Sequence, residues 1–190
     1  MLVSSGLCWW RLIARMIVIA CPPGVLSPEW ACMDSFGGGG RVDYESAVNV
    51  ILMHSSGRDD VPLEEALDPE GFLGCLRPFT GLREENFLQV MHAIIALRPH
   101  LAGKTDWEVR LVAGLWGLVV TARNWGLDPG GMLQRNRLLA AADTELLRLW
   151  VYCIEIAVDR LLRGGDPAEG MEYYRKQPGH AEPVSRPPNQ

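Results

Sequence analysis

The chain has 190 residues, 48 % hydrophobic and 22 % charged, the balance of an ordinary globular domain with room for a real core. Its formal net charge is −5 and its only lysines are Lys104 and Lys176, which argues against a generic nucleic-acid binder, because counterion release needs clustered Lys and Arg. The five cysteines, Cys8, Cys21, Cys32, Cys75 and Cys153, show neither CxxC spacing nor a Cys–His cluster, so neither a zinc site nor a disulfide framework is read from them, and no cofactor is expected.

Residues 1–32 read unlike the rest. They hold Trp9, Trp10 and Trp30, the cations Arg11 and Arg15, and a short apolar run at 16–20. Three readings compete. A secretory signal would use 16–20 as its core, but that run is shorter than the usual ~7–15 residues. A lipoprotein signal would use Val18-Ile19-Ala20-Cys21 as its lipid-attachment box and suffers from the same short core. The residues favour the third, a native start at Met33, followed by a polar, Gly-rich lead. The expected location is therefore cytoplasmic, the alternative being a lipoprotein anchored through Cys21, which is the one expected route to a membrane. Residues 1–42 are taken as an N-terminal extension, 43–175 as the helical domain and 176–190 as a disordered tail.

The four glycines at 37–40 precede no Lys-Ser/Thr pair, so they are a flexible lead and not a phosphate loop. Asp43 reads as the N-cap of a helix to His54 with Val48, Ile51 and Leu52 on its apolar side. A polar turn follows, with one helical turn expected at 63–67. Asp68-Pro69 then predicts a short helix through Leu76, stopped by Pro78. The next helix spans 83–98, with Phe87, Leu88, Met91, Ile94 and Ile95 on one face, Glu84 and Glu85 in its first turn and Arg98 in its last; Pro99 and Gly103 end it. Thr105-x-x-Glu108 reads as a capping box opening a helix that runs to Trp125, with Gly126 as its C-cap. Residues 132–136 add a helical turn. The last long helix covers 141–163, with Leu146, Leu147, Trp150, Val151, Ile154, Ala157, Val158 and Leu161 repeating at 3–4 spacing; Gly164 closes it, and Asp166-Pro167 caps a short helix to Tyr174. No repeat appears, and no strand pattern outside the N-terminal segment. The class is all-α, a bundle of about four main helices with short helical inserts.

The uncharged run 111–122, LVAGLWGLVVTA, is too short to cross a bilayer, which needs ~20 residues, yet apolar enough to be buried on nearly every side. It predicts a central helix with two unlike faces. Leu111, Val112, Leu115, Trp116, Val119 and Ala122 form a bulky, core-facing side; Ala113, Gly114, Gly117 and Thr121 form a small one. Two glycines inside a helix cost about 1 kcal/mol each, so close helix packing is the expected compensation. That close partner is either another helix of this chain or a second polypeptide. The candidate interface is Gly114, Gly117 and Thr121, rimmed by Arg110 and Asn124.

Chemistry-bearing candidates are few. Glu85, Gln89 and His92 share one helix face, making Glu85 and His92 a two-ligand metal candidate, but no Glu-x-x-His step occurs. His54 ends a helix, where a cation would favour the dipole. Glu155 and Asp159 are carboxylates at i,i+4 with Arg148 and Arg163 nearby, a charge-balanced face. Cys75 and Cys153 lie in apolar surroundings and read as inert thiols. The segment holding Arg123, Asn124, Trp125, Gln134, Arg135 and Arg137 joins two long helices and is the best loop for a ligand or partner. Its layout also allows a helix–turn–helix presenting Gln134 and Arg135 to bases. The leading expectation is a helical interaction module that binds a protein partner or itself, without catalysis. A ligand- or metal-binding bundle enzyme using His92 and a small DNA-binding regulator using residues 134–137 are the alternatives.

Overall fold

Asp43 opens the first helix as its sequence suggests. One carboxylate oxygen accepts the Ser46 N–H at 2.9 Å and the other the Ser46 hydroxyl at 2.8 Å, starting α1, Tyr44–His54. The structure, a computed structural model, describes residues 42–55 and 67–178. These lie in Arg41–Gln190, one of the two units into which the chain divides. The signal core, the Cys21 lipid site, the Met33 start, the turn expected at 63–66 and the tail beyond residue 178 lie outside the described residues.

Helix α2 is Glu84–Leu101, α3 Val109–Ala122, α4 Met132–Arg135, α5 Ala141–Leu162 and α6 Ala168–Arg175. No strand occurs among the described residues. Among the four long helices, α1 packs on α2 and α3, and α5 packs on the same two. This is the expected four-helix core, with α6 laid against α5 and α2. Its centre is aromatic: Phe87 of α2 stacks on Trp150 of α5 at 5.3 Å and meets Tyr174 of α6 at 4.8 Å. No helix among the described residues is long and apolar enough to cross a membrane.

Four boundaries differ from expectation. First, α2 passes through Pro99 and continues to Leu101. A proline in the last turn forfeits one N–H, and the buried Leu101 side chain anchors the extra turn. Gly103, at φ +75°, then ends it. Second, the capping box before α3 does not form. Glu108 is itself the N-cap residue, and its carboxylate takes the Arg110 Nε–H at 2.6 Å. Third, α3 stops at Ala122 and the chain widens into one π turn, Arg123–Leu127, closed by the Asp128 N–H on the Arg123 carbonyl at 2.9 Å.

Fourth, residues 68–76 form no helix but a chain of tight turns. Asp68 accepts the Glu70 N–H at 2.9 Å, the turn that competes with helix initiation. Gly71 and Gly74 allow the segment to fold on itself and onto α1. A Cβ at Gly74 would stand 1.7 Å from the Asp68 carbonyl oxygen, and one at Gly71 2.5 Å from that of Met53. The segment thereby buries Phe72, Leu73, Cys75 and Leu76.

The larger correction concerns α3. It is not wrapped on all sides. Leu111, Gly114, Leu115, Leu118 and Ala122 face the core, while Val112 and Trp116, expected on the core side, face outward. The backbone of the helix approaches those of α1 and α5 and not that of α2, so only one side is covered by them.

Candidate functional site

Helix α3 carries Arg110, Gly114, Gly117 and Thr121 of the candidate interface, and the structure divides them. Gly114 faces this chain's own α1. A Cβ there would lie 3.1 Å from Ile51 Cγ2, 3.1 Å from Ser55 Oγ and 3.4 Å from Leu52 Cδ2. The missing side chain therefore lets α1 and α3 approach closely, an intramolecular use of part of the small face. Arg110 borders the same crossing, donating to Glu108 and, at 3.2 Å, to Glu45 of α1. Gly117 and Thr121 are half-buried, and Asn124 is exposed beyond the helix end.

The outward side of α3 is apolar. Val109 is 79 %, Val112 40 % and Trp116 58 % exposed, at positions i, i+3 and i+7 of one stripe. Ala113, Val119 and Val120 lie half-buried along it. Isolated exposed apolar residues are common on proteins; three large ones aligned over two helical turns, one of them Trp, form a contiguous patch.

The π turn builds a second feature. Gly126 is drawn inward until a Cβ there would be 2.3 Å from Leu147 Cδ2. Gln134 is not displayed to a ligand: its Nε2 donates to the Gly126 carbonyl at 2.6 Å and to Thr144 Oγ1 at 3.3 Å, bracing the turn. Trp125 is half-buried, with the Arg77 guanidinium 5.6 Å from its ring centroid. Arg135 and Arg137 are exposed, Arg137 at φ +54°. The helix that holds Gln134 and Arg135, α4, is four residues long. Arg123 and Asn124 line an open groove of about 700 Å³ with Arg148, Tyr152 of α5 and Tyr173 of α6. Its two arginines are already met by carboxylates, Arg123 by Glu155 and Arg148 by Glu145.

The two metal-candidate residues sit in different surroundings. Glu85 is exposed, whereas His92 is half-buried, its pKa lowered by burial and by the Arg175 charge. No group of three or more His, Cys, Asp or Glu that could hold a metal occurs among the described residues. Asp159 pairs with Arg163 at 2.7 Å, as the i,i+4 spacing suggests. Cys153 is buried and its pKa is pushed up to about 12 by desolvation, which suits an inert thiol.

The polar arrangement that sequence reasoning missed lies at the end of α1. His54 is 1 % exposed. Its Nδ1 accepts the Phe72 N–H at 2.9 Å, and its Nε2 lies 2.9 Å from Gln89 Oε1. An N–H pointing at Nδ1 requires a lone pair there, so the ring proton sits on Nε2 and is donated to Gln89. The imidazole is neutral, contrary to the cation expected at a helix C-terminus. Burial wins over the dipole, lowering the pKa. The pairing of His54 with Gln89, 35 residues apart, had no signal in local spacing.

No protein-family model, curated protein or solved structure matches this chain.

Proposed function

We propose that this protein is a helical interaction domain that docks an amphipathic helix of another polypeptide on the outward side of α3. The observation that carries this reading is Trp116, 58 % exposed and aligned with Val109 and Val112 on a helix whose opposite side is packed into the core. An apolar partner helix would read these positions as anchors at i, i+3 and i+7, the spacing of helix-mediated recognition. Trp is among the side chains that most often dominate such contacts, with truncation costing about 2 kcal/mol or more. Half-buried Ala113 beside Trp116 leaves room for a close approach.

The test is a comparison of the full chain with its Trp116→Asp variant. Sedimentation is measured over a concentration series, and binding partners are captured from the native host. The variant is expected to keep the wild-type fold, since Trp116 contributes little to the core, and to lose the bound chain. A dimer abolished by the substitution would identify the docked helix as that of a second copy. A wild type that stays monomeric and captures nothing the variant fails to capture would overturn the proposal.

A further inference from the structure

Three hydrogen bonds converge on His54. Besides its two ring nitrogens, its backbone carbonyl accepts the Leu73 N–H at 3.1 Å. One residue therefore ties the C-terminal end of α1 to α2 and to the turn segment 67–80, whose residues 71–76 are buried. The segment sits directly on the helix end: a Cβ at Gly71 would meet the Met53 carbonyl oxygen at 2.5 Å and His54 Cα at 3.3 Å. Phe72, the residue whose amide is held, packs against Trp150 at 6.4 Å between ring centroids.

This arrangement tolerates only the neutral ring. A proton added at Nδ1 would set an N–H against the Phe72 N–H across 2.9 Å, turning an acceptor–donor pair into two opposed donors. Among the described residues, the only hydrogen-bond partner at Nδ1 is the Phe72 amide, a donor. From α2 the ring meets Gln89, which is uncharged and already accepts from Nε2. From the segment it meets the Phe72 amide, and at longer range the Asp68 carboxylate, whose charge favours the cation without bonding to it. The carbonyl end of α1 also favours the cation.

We propose that His54 is an acid-sensitive latch whose protonation releases segment 67–80 from the end of α1, exposing Phe72, Leu73 and Leu76 while the helical core stays folded. The direction follows from linkage. Burial holds the imidazole below its ordinary range, and the Gln89 hydrogen bond and then the Asp68 charge moderate that shift. The released form binds one more proton than the latched form. The latch is fully closed above the ordinary imidazole pKa of about 6.5 and opens as pH falls through the depressed value.

Hydrogen exchange resolved to single amides tests this on the full chain between pH 7.5 and 5, with rates corrected for intrinsic pH dependence. Protection at Phe72 and Leu73 is expected to fall by up to about tenfold per pH unit between the ordinary imidazole pKa of about 6.5 and the depressed value of the latched form, and to level off below it, as one-proton linkage requires. Protection at Val90 and Ile94 in α2 is expected to stay constant over that range. His54→Asn keeps an acceptor near the Nδ1 position and cannot titrate, so its Phe72 protection should be independent of pH. If that variant fails to fold, the wild-type profile together with the nitrogen chemical shifts of the His54 ring decides alone. Constant protection at Phe72 and Leu73 would overturn the latch. So would loss in step with Val90, which is global acid unfolding, or a His54 ring that takes up its second proton while both amides remain protected.

Discussion

Substitution of Gly114 measures whether the α1–α3 crossing sets the position of α3. Two opposing effects act on Gly114→Ala. A glycine inside a helix costs about 1 kcal/mol relative to alanine, so the substitution gains that amount. The new Cβ would stand 3.1 Å from Ile51 Cγ2 and Ser55 Oγ, slightly closer than ordinary contact, and both neighbours are side chains able to yield. A displacement of a few tenths of an ångström costs about 1 kcal/mol, at the low end for overpacking. The Ala variant should therefore unfold within about 0.5 kcal/mol of wild type, the two effects offsetting. Gly114→Leu keeps most of the helix gain but must place a branched side chain between Ile51, Leu52 and Ser55. Overpacking of about 3 kcal/mol, less about 1 kcal/mol of propensity, leaves a net loss near 2 kcal/mol. With a urea m-value of about 2 kcal/mol/M, that is a midpoint lowered by about 1 M at an unchanged slope. An unaltered midpoint for Gly114→Leu, or a loss above about 2 kcal/mol for Gly114→Ala, would refute the crossing as described.

Other substitutions probe separate parts of the fold. Gly74→Ala places a Cβ 1.7 Å from the Asp68 carbonyl oxygen, a backbone clash no rotamer relieves. It should cost about 3 kcal/mol or more in urea unfolding, and a cost below about 1 kcal/mol would mean that the 67–80 turns are arranged otherwise. Phe87→Leu, opening a gap between Trp150 and Tyr174, should lose about 1–3 kcal/mol and reduce the near-ultraviolet circular dichroism of the aromatic core. Cys153, buried and with its pKa raised, should resist iodoacetamide at pH 8 until denaturant is added, as read by peptide mass mapping; native-state labelling would contradict its burial. Arg123→Ala removes an exposed pair with Glu155 and should shift stability by no more than about 1 kcal/mol.

Much of the architecture was legible because the relevant signals are local. Asp43 caps α1 through its own Ser46, three residues on, and α5 spans within one residue of the stretch its apolar repeat marks out. The misreadings arose where a remote partner outweighed a local preference. Pro99 was expected to end α2, but Leu101 gains burial beyond it. Asp68-Pro69 has the look of a helix start, yet Gly71 and Gly74 permit close backbone approaches that a helix would not make. Of the interface candidates, Gly114 turned out to meet α1, and of the loop candidates Gln134 braces the π turn. The His54 arrangement was not legible, because its partners come from residues 72 and 89 and only packing brings them together.

By itself the sequence determined that this is a four-helix core and where three of its long helices lie, since spacing of apolar residues at 3–4 positions orients each helix without reference to its neighbours. It could not do so for 111–122. A run with no charged residue has no polar side to mark the solvent, so its rotation is undetermined by pattern. Tertiary structure decided it: α1 and α5 cover one side of α3, Gly114 fits against Ile51 and Ser55, and Trp116 is left facing out.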